Sequence, residues 1–183
     1  MLWLRPSNMR EDHQRNIASR VNKTCEWILD NSKFEYWAYS NPRIARPRAM
    51  VIHGPTGCGK SVIASFIYDE LERLHEITLL FFSSSGDATR RTLDSLAQAL
   101  LAQLLEKDKE GRLVPFFSSL MENGLFLIFD LFDAVGKAVK LLSWPVKVII
   151  DGIDECSDTG SDIFTYMMKS TDEEAELRII FLG

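Results

Sequence analysis

Eight consecutive residues limit most strongly what this chain can fold into: Gly54, Pro55, Thr56, Gly57, Cys58, Gly59, Lys60 and Ser61. They match G-x-x-x-x-G-K-[ST] at every fixed position. An apolar run, Arg48 to His53, precedes them; Lys60 to His75 follows, with Ile63, Phe66, Ile67, Leu71 and Leu74 at helical spacing. The order is strand, glycine-rich turn, helix. That order delivers the unpaired N–H groups and positive dipole end of a helix to the end of a strand, where an anion is stabilised. Gly54, Gly57 and Gly59 keep side chains out of the way and permit unusual dihedrals, so backbone amides can surround phosphate oxygens. Lys60 adds a full charge against β- and γ-phosphates, and the Ser61 hydroxyl is a ligand for Mg²⁺. Cys58 holds a variable slot and reads as a small filler; a redox-sensitive thiol beside the phosphates is the sharper alternative.

A second acidic feature lies about 90 residues further on, in Val148-Ile-Ile-Asp-Gly-Ile-Asp-Glu-Cys156. The apolar, β-branched run Val146 to Ile150 reads as a strand that presents Asp151 at its carboxyl end, the edge where open parallel sheets bind ligands. An ionised Asp151 complements Ser61 across a Mg²⁺ ion. Asp154 and Glu155 follow within one turn, and either suits the task of orienting water and taking its proton. The sequence does not choose between them.

The other segments supply a scaffold. Ile77 to Phe82 and Leu177 to Leu182 read as buried strands, and Thr89 to Lys107 and Leu125 to Leu142 as helices, the latter with Asp133 and Lys137 paired at i, i+4. Residues 8–30 read as helical, with Asn8 and Glu11 as a capping box, and residues 31–47 as a short helix and connector. The apolar strands lack period-2 alternation, as strands buried on both faces do, so the fold class is α/β with a mostly parallel sheet in a three-layer sandwich. The domain division is 1–47, a helical segment and connector, then 48–183. Arg43, Arg46 and Arg48 read as a solvated linker.

With 46% hydrophobic residues in 183, the chain can bury one core. A net charge of -5 argues against a nucleic-acid partner. No run of about 18 uncharged apolar residues exists for a membrane helix, and Arg5 and Pro6 interrupt any signal-peptide core. Cys25, Cys58 and Cys156 have no metal-ligand spacing. A cytoplasmic location is the expectation.

Together the two acidic and glycine-rich motifs resemble the NACHT-type branch of the STAND P-loop ATPases, whose second motif is a hydrophobic strand, Asp, a small residue, a hydrophobic residue, then Asp-Glu. Here those positions are Asp151, Gly152, Ile153, Asp154 and Glu155. Thr24 to Leu29 with Phe34 and Trp37, His53-Gly54, Phe81-Phe82, Ser83 to Arg91, and Leu96 to Leu105 with Gln98 and Gln103 are similar to fungal NACHT segments. Such a region is often described as a nephrocystin-3-like N-terminal domain. The resemblance implies an ATP-binding, Mg²⁺-dependent P-loop NTPase switch with slow hydrolysis and self-association or signalling partners. It offers Trp27 as a contact to the base, whereas the neighbours Ile28 and Leu29 argue for a core position. It also implies a polar sensor segment with an arginine and a further strand after Leu182, so a sheet lacking its last strand is expected. Two other readings stay open: a scaffold that binds nucleotide without turnover, and a small-molecule kinase. No guanine-reading N-K-x-D motif is visible.

Overall fold

The computed structural model describes residues 9–40, 48–123, 128–156, 160–169 and 176–183. In chain order the elements are α1 (Met9–Ser19), α2 (Ser32–Tyr39), β1 (Ala49–Ile52), α3 (Lys60–Arg73), β2 (Ile77–Phe82), α4 (Leu93–Lys107), α5 (Val114–Asn123), α6 (Ile128–Leu142), β3 (Val146–Asp151), α7 (Gly160–Lys169) and β4 (Leu177–Leu182). The four strands form one parallel sheet in the order β1-β4-β3-β2. Every residue of β3 and β4 is buried. Successive side chains on a strand point to opposite faces, so both faces of the sheet are covered, as the α/β reading requires.

β1 is an edge strand, and its Val51 is 47% exposed. The opposite edge, β2, is closed by side chains. Gln103 of α4 accepts from the Leu80 N–H at 2.9 Å and donates to the Leu80 carbonyl at 2.9 Å, as a neighbouring strand would. The Met9 sulfur accepts from the Phe82 N–H at 3.2 Å. Open strand edges template unwanted pairing, and these two side chains cover this one. Gln103→Leu leaves both groups of Leu80 without partners. It should cost about 2 kcal/mol, read from equilibrium urea unfolding; a loss under about 0.5 kcal/mol would show that the clamp contributes nothing.

Two buried cations anchor the other end of the sheet. Lys147 and Arg178 are register partners on β3 and β4 and are 2% and 6% exposed. Lys147 pairs with Glu76 at 2.8 Å, while burial holds its pKa below the ordinary lysine value. The Arg178 guanidinium donates to the carbonyls of Trp37, Ala38 and Ser40 at the C-terminal end of α2. Those carbonyls have no partner within the helix and form its negative pole, so a buried arginine fastens α2 to the sheet. Asn31 caps the other end of α2 by accepting from Lys33 and Phe34.

The N-terminal segment departs from the pattern reading. The helix expected over 8–30 stops at Ser19, and Lys23 and Cys25 adopt φ of 65° and 70° before a 3-10 turn over Glu26–Ile28. The apolar recurrence at Val21 is incidental, since Val21 is 69% exposed. Trp27 is not core either: it is 55% exposed, and Ile28, at 1%, takes the buried place. α4 begins at Leu93 rather than Thr89, because Thr92 and Ser95 form a reciprocal capping box. Asn8, the connector 41–47 with Arg43 and Arg46, and the expected helical residues 125–127 lie outside the described residues. The Asp133–Lys137 pair forms at 2.6 Å.

Candidate functional site

The glycine-rich stretch is a compact turn between β1 and α3. Gly57 and Gly59 have φ of 80° and 94°, and nothing lies within 4 Å of where a Cβ would stand on either. The space beside both alpha carbons is open, so no crowding inside the protein demands these glycines, and the gap suits the close approach of phosphate oxygens. Gly54 is needed for a different reason. A Cβ there would meet the Cys58 sulfur at 2.6 Å, because the loop closes on itself through the Cys58 N–H and Pro55 carbonyl at 3.2 Å. Pro55, Thr56, Gly57 and Cys58 are exposed. Lys60 folds back over the loop and donates to the Gly54 and Pro55 carbonyls at 2.7 and 3.3 Å.

Asp151 ends β3 and is 5% exposed. The Ser61 hydroxyl donates to its carboxylate, and the Lys60 ammonium stands near enough to act on it. Burial raises the Asp151 pKa above the ordinary carboxylate value; the Ser61 hydrogen bond and the Lys60 charge oppose that rise. Thus the two motifs, distant in sequence, meet at one hydroxyl–carboxylate contact beside the lysine. A hydroxyl and a carboxylate side by side are hard oxygen donors. They fit Mg²⁺, which takes one or two protein ligands and completes its shell with phosphates and water.

Asp154 and Glu155 lie on an exposed 3-10 turn, Ile153–Glu155, immediately beyond. The structure gives the two different surroundings. Glu155 accepts from the Ser85 N–H at 3.1 Å and its hydroxyl at 3.3 Å. Asp154 instead lies at the end of β4, its Oδ1 3.5 Å from where a Cβ on Gly183 would stand. Ser85 belongs to a braced loop. Asp87 accepts from the Thr89 hydroxyl and amide and from Arg90, which hold its pKa down at about 2. Arg90 also pairs with Asp12 of α1, and the Cys156 thiol donates to the Arg91 carbonyl at 3.1 Å.

Three participants escaped the sequence reading. Ser85 sat in a segment recognised only as a polar turn, and its carboxylate partner is far along the chain. Ser83 donates its N–H to the Asp151 carbonyl at 2.8 Å, fixing the loop to the strand end. Gly183 accepts from the Gly54 N–H at 3.4 Å and donates to the Ile52 carbonyl at 3.3 Å, so it props the start of the phosphate loop. No local pattern marks any of them.

A parallel α/β sheet with this loop at its carboxyl edge defines a P-loop NTPase-like module. The chain belongs to the nephrocystin 3, N-terminal family, whose model matches residues 23–183. It is also 33% identical over 73 residues to the human mitochondrial chaperone BCS1, a match covering 40% of this chain and 16% of that protein. The ORC2 protein of Aeropyrum pernix, solved in ADPNP–ADP complexes, superposes with a TM-score of 0.46 at 14% identity, covering 97% of this chain and 41% of that one. The chain thus spans well under half of either relative. Among the described residues no helix is long and apolar enough to cross a membrane.

Proposed function

We propose that this chain is the ATP-binding module of a NACHT-type switch, with Mg²⁺-dependent and slow hydrolysis. The observation that carries the reading is the Ser61–Asp151 contact beside Lys60. In this reading the amides of Thr56, Gly57 and Gly59 hold the phosphates and Lys60 leaves its loop carbonyls to meet them. Ser61 and Asp151 would hold Mg²⁺, which when bound offsets charge on the phosphates. Asp154 or Glu155 orients water. Glu155 commits Oε2 to the Ser85 amide and hydroxyl, which restrains the carboxylate from turning toward a water and supports slow turnover. The same engagement favours the second reading, a nucleotide-binding scaffold without turnover. Self-association and signalling partners follow from the NACHT resemblance and belong to the proposal. A phosphate-release assay on the wild type separates the two readings.

Asp151→Asn tests the metal role and the cost of the buried charge together. A carboxyl whose folded pKa is raised destabilises the fold once it ionises. The penalty grows as pH rises from the ordinary carboxylate value through Asp151's higher one. Asparagine still accepts from Ser61. The variant should therefore melt higher than wild type at pH 7 without ligand, and at the same temperature as wild type at acid pH. It should also lose ATP affinity in Mg²⁺ about tenfold more than in chelator, measured by calorimetry. Equal losses in the two conditions would remove the metal role.

A further inference from the structure

The loop between β2 and α4 grips the turn that carries Glu155 at two points. Ser85 holds Glu155 Oε2 through its amide and hydroxyl at 3.1 and 3.3 Å. One step further on, the Cys156 thiol donates to the Arg91 carbonyl at 3.1 Å.

Arg90 is the hub of this loop. Its carbonyl accepts from the Ser84 N–H at 3.2 Å and the Ser83 hydroxyl at 3.1 Å, which fixes the backbone immediately before Ser85. Its guanidinium holds Asp87 at 2.8 Å and reaches across to Asp12 of α1. The Arg90 and Asp12 side chains are each 18% exposed, against 81% and 62% for Arg10 and Glu106, another pair made by α1. A pair withdrawn from water is screened less and holds its geometry better than an exposed one. Contacts therefore run without a break from α1 through Arg90 and Ser85 to Glu155.

Of these parts α1 is the most loosely seated. Met9 is its only buried residue. Polar contacts fasten it to α3, from Asn16 to Ser65 at 3.2 Å and from His13 to Asp69 at 3.0 Å. An element with few buried apolar contacts opens at low free energy, so α1 can shift while the sheet stands.

We propose that α1 is a brake on hydrolysis, which rests on the ATPase reading above and takes Glu155 as its water-orienting carboxylate. With α1 seated, Asp12 holds Arg90, the loop stays braced, and Ser85 keeps Glu155 Oε2 from water. Displacing α1 slackens the loop. The freed carboxylate then accepts a hydrogen bond from the attacking water and takes its proton, as the water oxygen bonds to the γ-phosphorus and the bond to the ADP oxygen breaks. Asp12 and Ser85 are thus positioning residues that act through Glu155.

Phosphate release from ATP in Mg²⁺ by the full chain makes the test, each variant being checked for a folded spectrum. Ser85→Ala and Asp12→Ala should each raise kcat about fivefold, the weight of one net hydrogen bond, at unchanged KM. The double variant should be no faster than Ser85→Ala, because both changes release the same carboxylate. Adding Glu155→Gln to Ser85→Ala should erase the gain, and Arg10→Ala should leave kcat as it is. Without nucleotide, Asp12→Ala should move the Ser85 amide of the ¹⁵N-labelled chain toward its position in Glu155→Gln. An unmoved Ser85 amide, no rise of kcat in either folded variant, a gain that survives Glu155→Gln, or an equal gain in Arg10→Ala would overturn the brake. Calorimetry separates the failures: ATP bound with kcat unaltered by Ser85→Ala leaves the nucleotide site standing, whereas a wild type that binds no ATP ends both.

Discussion

Lys60→Ala should lower affinity for ATP in Mg²⁺ at least a hundredfold while leaving the fold standing. In this structure the ammonium is satisfied by the Gly54 and Pro55 carbonyls at 2.7 and 3.3 Å. A triphosphate offers charged oxygens instead, and each charge-assisted hydrogen bond contributes about 1.5–3 kcal/mol. Losing two of them amounts to at least about 3 kcal/mol, more than about a hundredfold in affinity. Nothing else described at the loop brings a second cation to replace it. The fold should tolerate the change, because Lys60 bonds only to an exposed loop and the core beneath α3 rests on Ile63, Ala64, Phe66, Ile67 and Leu71. Removing the ammonium also removes a charge that favours ionised Asp151, so the Asp151 pKa should climb further. Calorimetry on wild type and variant, with thermal unfolding as the control, reads all of this. Unchanged affinity in a folded variant would separate the loop from nucleotide binding altogether.

What was legible in the sequence follows from what the physics leaves no choice about. A strand, a glycine-rich turn with left-handed positions at Gly57 and Gly59, and a helix follow one another directly in the chain, so the loop at 54–61 and the strand that ends at Asp151 were legible as structure. The parallel sheet was legible because strands covered on both faces must be apolar throughout. Elsewhere the pattern misled. The spacing of Ile17, Val21 and Ile28 suggests one helix, yet no glycine or proline warns of the left-handed turns at Lys23 and Cys25. Trp27 and Trp37 look equally suited to a core, but one is 55% exposed and the other fully buried. Lys147 and Arg178 sit within apolar strands, and only the structure reveals that α2 carbonyls and Glu76 make their burial possible. The Gln103 clamp and the Ser85–Glu155 link are contacts between distant segments, and a local pattern carries no trace of them.

Gly152 shows how the second motif's small residue is enforced, and Gly152→Ala should be the most damaging single-methyl change in the site. Its φ is 75°, which costs a residue with a Cβ about 1–2 kcal/mol. Its Cβ would stand 2.9 Å from the Ser83 carbonyl oxygen, a backbone atom. Ser83 cannot move aside freely, since its N–H is bound to the Asp151 carbonyl at 2.8 Å and its hydroxyl to the Arg90 carbonyl at 3.1 Å. Strain and overpacking together should reach about 3 kcal/mol, which lowers the melting temperature by about 6–12 °C at this size. Gly57→Ala makes the informative contrast. Its φ is 80°, but nothing crowds its Cβ, so the fold should lose only the backbone term. Its methyl instead enters the space proposed for phosphate, so ATP affinity should fall sharply. The two alanines thus split one residue type into two functions: Gly152 is required by the protein's own backbone, Gly57 by its ligand. A Gly152→Ala melting point within 1 °C of wild type would mean the Ser83 loop yields. The small residue of the motif would then need another explanation.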